Sequence, residues 1–135
     1  MRVLIDTNIL ISAILSKGGV PYRAIKKAAD PPHQALICEY SLEELRRVFN
    51  RKFPHKIHAF ERFIATALPM VEFVSVPETP HEDELKIRDE NDRPIFRAAI
   101  HAKADILLSG DKDFTDSSVT SPKIMTPAQF VQMDA

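Results

Sequence analysis

Residues 3–12 read VLIDTNILIS. The apolar run Val3-Leu4-Ile5 ends on a carboxylate, Asp6, and the chain turns apolar again from Ile9. An apolar run bounded by a polar cluster predicts a short buried strand over residues 2–5. Residues 8–16 are apolar nearly all round and suit a buried helix ending near Gly18-Gly19, where glycine takes backbone angles that other residues avoid. A charge held between two buried segments needs a reason. It caps the helix, or it binds something.

The same strand-then-helix grammar repeats. Pro21 starts a helix to about Ala29, and Pro31-Pro32 stops it. Residues 35–38 form a second strand. Ser41 with Glu44 three residues on has the pattern of a capping box, followed by an apolar face of Leu42, Leu45, Val48 and Phe49. Pro54 interrupts, and a further helix shows Ile57, Phe60, Ile64, Ala67 and Leu68 on one side. Residues 71–76 give a third strand. After a charged stretch a helix runs from about Arg93 to Lys103, with Asp92 as N-cap and Pro94 in the first turn. Residues 106–108 are a fourth strand and 123–125 a fifth; Thr126-Pro127 starts a last helix through Met133.

Short apolar strands alternating with helices imply an α/β fold: a parallel sheet covered on both faces. With 135 residues and no linker or repeat, one domain over 1–135 is expected. The single cysteine, Cys38, excludes an intrachain disulfide and fits a reducing compartment. No apolar run approaches the roughly 18 residues of a membrane span. A secretory signal would not carry Asp6 inside its apolar stretch, so a cytoplasmic location is expected.

In such sheets ligands bind beyond the carboxyl ends of the strands, where the strand order reverses. The acids fall there. Asp6 lies just past strand one, Asp111 and Asp113 just past strand four, Asp92 opens the helix feeding strand four, and Glu44 sits early in the helix after strand two. If strands one and four are neighbours, these carboxylates share one crevice. Singly, each has a structural role as a cap or turn residue. As a set, they repel one another unless a cation is present. Oxygen ligands select a hard ion, Mg²⁺ or Mn²⁺, rather than Zn²⁺; His55 and His58 stand three apart but have no third ligand nearby. One or two such ions activate water and stabilise charge on a phosphoryl oxygen, the chemistry of phosphodiester hydrolysis. The net charge of −1 conceals a segregation that suits this: six basic residues and one acid between Arg46 and Arg62, against seven acids and two bases between Glu78 and Asp92.

In order and spacing, LIDTNILIS, SLEELRRV, DENDRPIFRAA and ADILLSGDKDF resemble the PIN domain over essentially the whole chain, and the VapC-like branch of toxins in toxin–antitoxin pairs in particular. The resemblance implies a three-layer α/β/α fold with about five parallel strands and a metal-dependent ribonuclease. It aligns Asp6, Glu44, Asp92 and Asp111 with the family's catalytic metal ligands, and Asp113 with an auxiliary acid. Glu43 and Asp89 lie outside the matching contexts. Asn8 and Ser109 match polar residues flanking the site, with Ser where Thr is commoner. Arg46, Arg47, Arg51 and Lys52 are candidates for RNA phosphate contacts. A homodimer and a cognate antitoxin partner are implied as well. Two other classes stay open: a PIN fold that binds RNA without cutting it, and a metal-dependent phosphatase-like hydrolase. The second fits less well, because Thr7-Asn8 follows Asp6 where a covalent phosphatase needs Asp-x-Asp.

Overall fold

A computed structural model describes residues 1–67 and 69–133. Five parallel strands form one sheet in the order β3-β2-β1-β4-β5, with β1 Arg2–Ile5, β2 Gln34–Cys38, β3 Val71–Val74, β4 Ile106–Leu108 and β5 Lys123–Met125. The central strand β1 pairs with β2 (Val3 opposite Ala35) and with β4 (Ile5 opposite Leu108). The sheet grows from β1 to β3 on one side and from β4 to β5 on the other. The reversal of strand order therefore falls between β1 and β4, as the acids required.

Seven helices among the described residues cover the two faces: α1 Thr7–Leu15, α2 Val20–Ala29, α3 Glu39–Lys52, α4 Ile57–Ala67, α5 Arg93–His101, α6 Lys112–Thr115 and α7 Pro127–Gln132. Side chains alternate across β1 because successive Cβ atoms of a strand point to opposite faces. Val3 and Ile5 join the core beneath α1 to α4 and α7; Leu4 joins Leu36, Leu107, Ile95, Phe96 and Phe114 on the other. This is a three-layer α/β/α fold. No helix among the described residues is long and apolar enough to cross a membrane.

Some boundaries differ from the sequence reading. Ser41 does not cap α3. The chain passes from β2 directly into the helix at Glu39, with Cys38 at the cap position, and Ser41 is fully buried in the first turn. The Ser-x-x-Glu pattern is a coincidence of composition. β3 stops at Val74 instead of running to Val76, and α5 stops at His101, after which Lys103 takes a left-handed turn at φ 57°. His55 sits in a short 3₁₀ turn, Pro54–Lys56, so it is not on one helix with His58. The charged stretch forms two further 3₁₀ turns, Glu82–Lys86 and Glu90–Asp92. Leu68, expected on the inner face of α4, lies outside the described residues.

Leu4 is fully buried at the centre of the sheet, whereas Leu85 is 73% exposed. Leu4→Ala should cost about 2–5 kcal/mol by the usual cavity and transfer terms, and Leu85→Ala close to nothing. Urea denaturation of both variants measures the contrast; equal losses would contradict the placement of β1.

Candidate metal centre at the carboxyl edge

Asp6 stands where β1 ends and α1 begins, 3% exposed. Its backbone N–H still belongs to the sheet, donating to the Leu108 carbonyl at 3.0 Å. Its Oδ1 accepts from the Thr7 backbone N–H at 2.8 Å. Helix caps ordinarily accept from the second or third helical N–H, so this bond to the first is an unusual use of a cap. Oδ2 accepts from the Ser109 hydroxyl at 2.8 Å. The Ser109 oxygen in turn accepts from the Asp111 N–H at 3.0 Å. Ser109, fully buried just past β4, thus links the acids that follow the two central strands.

Burial pushes the Asp6 carboxyl up from 3.8 to about 6; the hydrogen bonds from Ser109 and Thr7 oppose this, and the charges of Asp111 and Glu44 add to it. Asp92 is pushed further, from 3.8 to about 7, by burial first and then by Asp111, Asp6 and Asp89. Asp92 does precede α5, but its side chain makes no cap bond and its backbone is already helical, at φ −90° and ψ −13°. Its Oδ2 is buried with no hydrogen-bond partner among the described residues. Asp111 is the neighbouring acid that acts most strongly on Asp92, and its own Oδ1 accepts from the Asp113 N–H at 2.9 Å and starts α6.

Among the described residues, the carboxylates offering oxygens all within 4.8 Å of one another are Asp89, Asp92 and Asp113. Asp6, Glu44 and Asp111 surround this group without entering it; Glu44, on α3, acts electrostatically on Asp6. Asp89, set aside in the sequence reading as outside the matching context, is one of that group's three. The signal was its spacing: three residues before Asp92 across a 3₁₀ turn, it faces the same way. Asp113 forms an ion pair with Arg88, an exposed residue of the same charged stretch. Asn8 is exposed in the first turn of α1.

Two neighbours were missed. The Thr7 hydroxyl is buried beside Asp6 and unpartnered among the described residues. Tyr40 feels the charges of Glu44, Arg47 and Asp92 at once, and burial is the largest cause of its raised pKa. Arg47 therefore acts electrostatically at this edge from α3. Arg46, on an adjacent face, lines a groove of about 370 Å³ between α3 and α4 with Asn50, Ile57, Phe60 and Ile64. Arg51 and Lys52 are exposed at the end of α3.

The donor set is all oxygen, crowded, and short of partners. A buried carboxylate oxygen without a donor, beside two more carboxylates, fits a hard divalent cation.

A model of the PIN domain matches residues 2–113. The chain belongs to the PIN domain family. An uncharacterized protein of Methanocaldococcus jannaschii is 27% identical over 145 aligned residues, spanning 98% of this chain and 90% of that one. The crystal structure of VapBC2 from Rickettsia felis, bound to a DNA fragment from their promoter, contains a chain of the same fold. Its TM-score is 0.68 at 17% identity, covering 93% of this chain and 98% of that chain. The PIN match ends at Asp113, so it spans every acid of the crevice, while β5 and α7 lie beyond it.

The raised carboxyls fix a sign for the pH dependence of the metal-free PIN domain. Asp6 and Asp92 hold protons more tightly folded than unfolded, so folding is favoured while they are protonated. Stability falls as pH rises from about 4 through their folded values of about 6 and 7. Asp92→Asn removes one titrating group and lightens the charge on the other, so its loss of stability between pH 5 and pH 8 should be the smaller. Urea denaturation in EDTA at the two pH values measures this; a wild-type protein that gains stability over that interval would contradict the burial of these charges.

Proposed function

We propose that this PIN domain is a Mg²⁺- or Mn²⁺-dependent endoribonuclease acting in the cytoplasm as the toxin of a toxin–antitoxin pair. The observation that carries the catalytic part is the unpartnered, buried Asp92 oxygen in a carboxylate group whose members repel one another. Asp6, Glu44, Asp92 and Asp111 would hold the cation directly or through water, with Asp113 and Asp89 completing the seat. A divalent ion there supplies an activated water and stabilises charge on a phosphoryl oxygen.

The chain's own residues do the rest. Ser109 holds the Asp6 carboxylate in one orientation and anchors the backbone of Asp111, which preorganises two acids with one hydroxyl. Arg47 and Arg51, one helical turn apart on α3, lie on the same side as Glu44. They offer cations to an RNA backbone whose scissile phosphate lies in the crevice. The toxin role draws its support from the likeness to a chain of VapBC2, which is itself a complex. A protein antitoxin is the expected partner, and a homodimer the expected assembly.

Asp6→Asn and Asp92→Asn keep shape and remove charge. Each should abolish cleavage of a single-stranded RNA while the variant stays folded, a loss beyond the roughly 10–100-fold typical of an outer-shell partner. Excess EDTA should do the same. Full activity of either variant, or in EDTA, sinks the mechanism. RNA that binds equally with and without Mg²⁺ and is never cut points instead to a binding domain.

A further inference from the structure

The connection from β3 to α5 carries Asp89 and Asp92, yet contains nothing longer than two 3₁₀ turns. What holds it is a set of bonds to two arginines of α5. The Arg97 guanidinium donates from Nε to Glu84 Oε1 and from Nη2 to Glu84 Oε2, both at 2.9 Å, and from Nη1 to the Pro77 carbonyl at 3.0 Å. Glu84 is 5% exposed. Its Oε1 also accepts the His81 N–H at 2.6 Å, and His81 Nδ1 accepts the Asp83 N–H at 3.0 Å. One turn back on α5, Arg93 Nε donates to the Ile87 carbonyl at 3.0 Å, and the Ile87 side chain is fully buried against the core that holds Phe96. The start, middle and exit of the segment are thus tied to the helix that Asp92 begins.

Burying an ion pair is a poor way to gain stability, because desolvation offsets the attraction and an apolar pair of similar volume commonly serves as well. A planar fork on a carboxylate does give something an apolar contact lacks, a fixed direction and register. Neither Glu84 nor Arg97 belongs to the acid group of the crevice. Asp92 lies eight residues after Glu84 in the same segment.

We propose that the Glu84–Arg97 pair is the positioning clamp of the acidic crevice, setting Asp89 and Asp92 in register with Asp113. The proposal rests on the metal-centre reading above.

The test uses the full chain and three variants. Glu84→Leu with Arg97→Met removes the pair without stranding a charge; Arg97→Lys keeps the charge and loses the fork; Lys86→Gln removes an exposed base of the same segment that pairs with Asp83 at 3.4 Å. Two readouts are taken: deuterium uptake of residues 77–92 in EDTA, and Mn²⁺ affinity by calorimetry. The double variant should fold, exchange the segment at least about tenfold faster, and bind Mn²⁺ about tenfold more weakly. Arg97→Lys should fall between it and wild type, and Lys86→Gln should match wild type. A folded double variant with wild-type exchange and wild-type Mn²⁺ affinity overturns the clamp; if it does not fold, Arg97→Lys decides by the same two readouts. A wild-type protein that binds no Mn²⁺ overturns the metal reading instead, and the exchange data still judge the clamp.

Discussion

One hydrogen bond, from the Ser109 hydroxyl to Asp6 Oδ2 at 2.8 Å, joins residues 103 apart in the chain. It forms because β1 and β4 are adjacent and parallel, with Ile5 opposite Leu108, so both strands end at the same edge. An antiparallel neighbour would have sent its following residue to the opposite end of the sheet. The bond also satisfies two buried groups at once, since the hydroxyl that donates to Asp6 accepts from the Asp111 backbone. Buried polar groups are costly unless paired, and this pairing places two carboxylates side by side with their backbones fixed.

The acids of this chain divide by the partners they find. Glu72 meets Arg2 and Glu84 meets Arg97, and each carboxyl is held below its ordinary range by its arginine. Asp6 and Asp92 are driven the other way, first by burial and then by neighbouring acids, Asp111 and Glu44 for Asp6 and Asp111, Asp6 and Asp89 for Asp92. The chemistry of the side chain is the same in all four; what differs is whether the fold supplies a cation. Glu72 and Glu84, each held by its own arginine, are structural struts. An acid buried among acids keeps its charge only when something outside the chain balances it.

What was legible in the sequence was local. β1, β4 and the acids after them were readable because a strand and the residue that ends it are neighbours in the chain. The strand order was readable only as a condition, because nothing local says which strands pair. Ser41 misled because a hydroxyl three residues before a glutamate looks like a cap whether or not the helix has already begun. Asp89 was set aside because it lies outside the context that matches the family, and the 3₁₀ turn whose threefold period brings it onto the side of Asp92 has no local signature. Residues 78–88 were legible only as charge. Their order comes from Arg93 and Arg97, which contact them through the fold.

Asp92 feels the charges of Asp111, Asp6 and Asp89, and its carboxyl lies within 4.8 Å of those of Asp89 and Asp113. A cation beside Asp92 offsets these charges at once. Charge supplied at the edge alone does less: Arg88 pairs with Asp113 from an exposed position, where solvent screens it. The Asp92 Oδ2 atom is buried without a partner among the described residues, and the geometry of residues 77–92 determines where that oxygen sits.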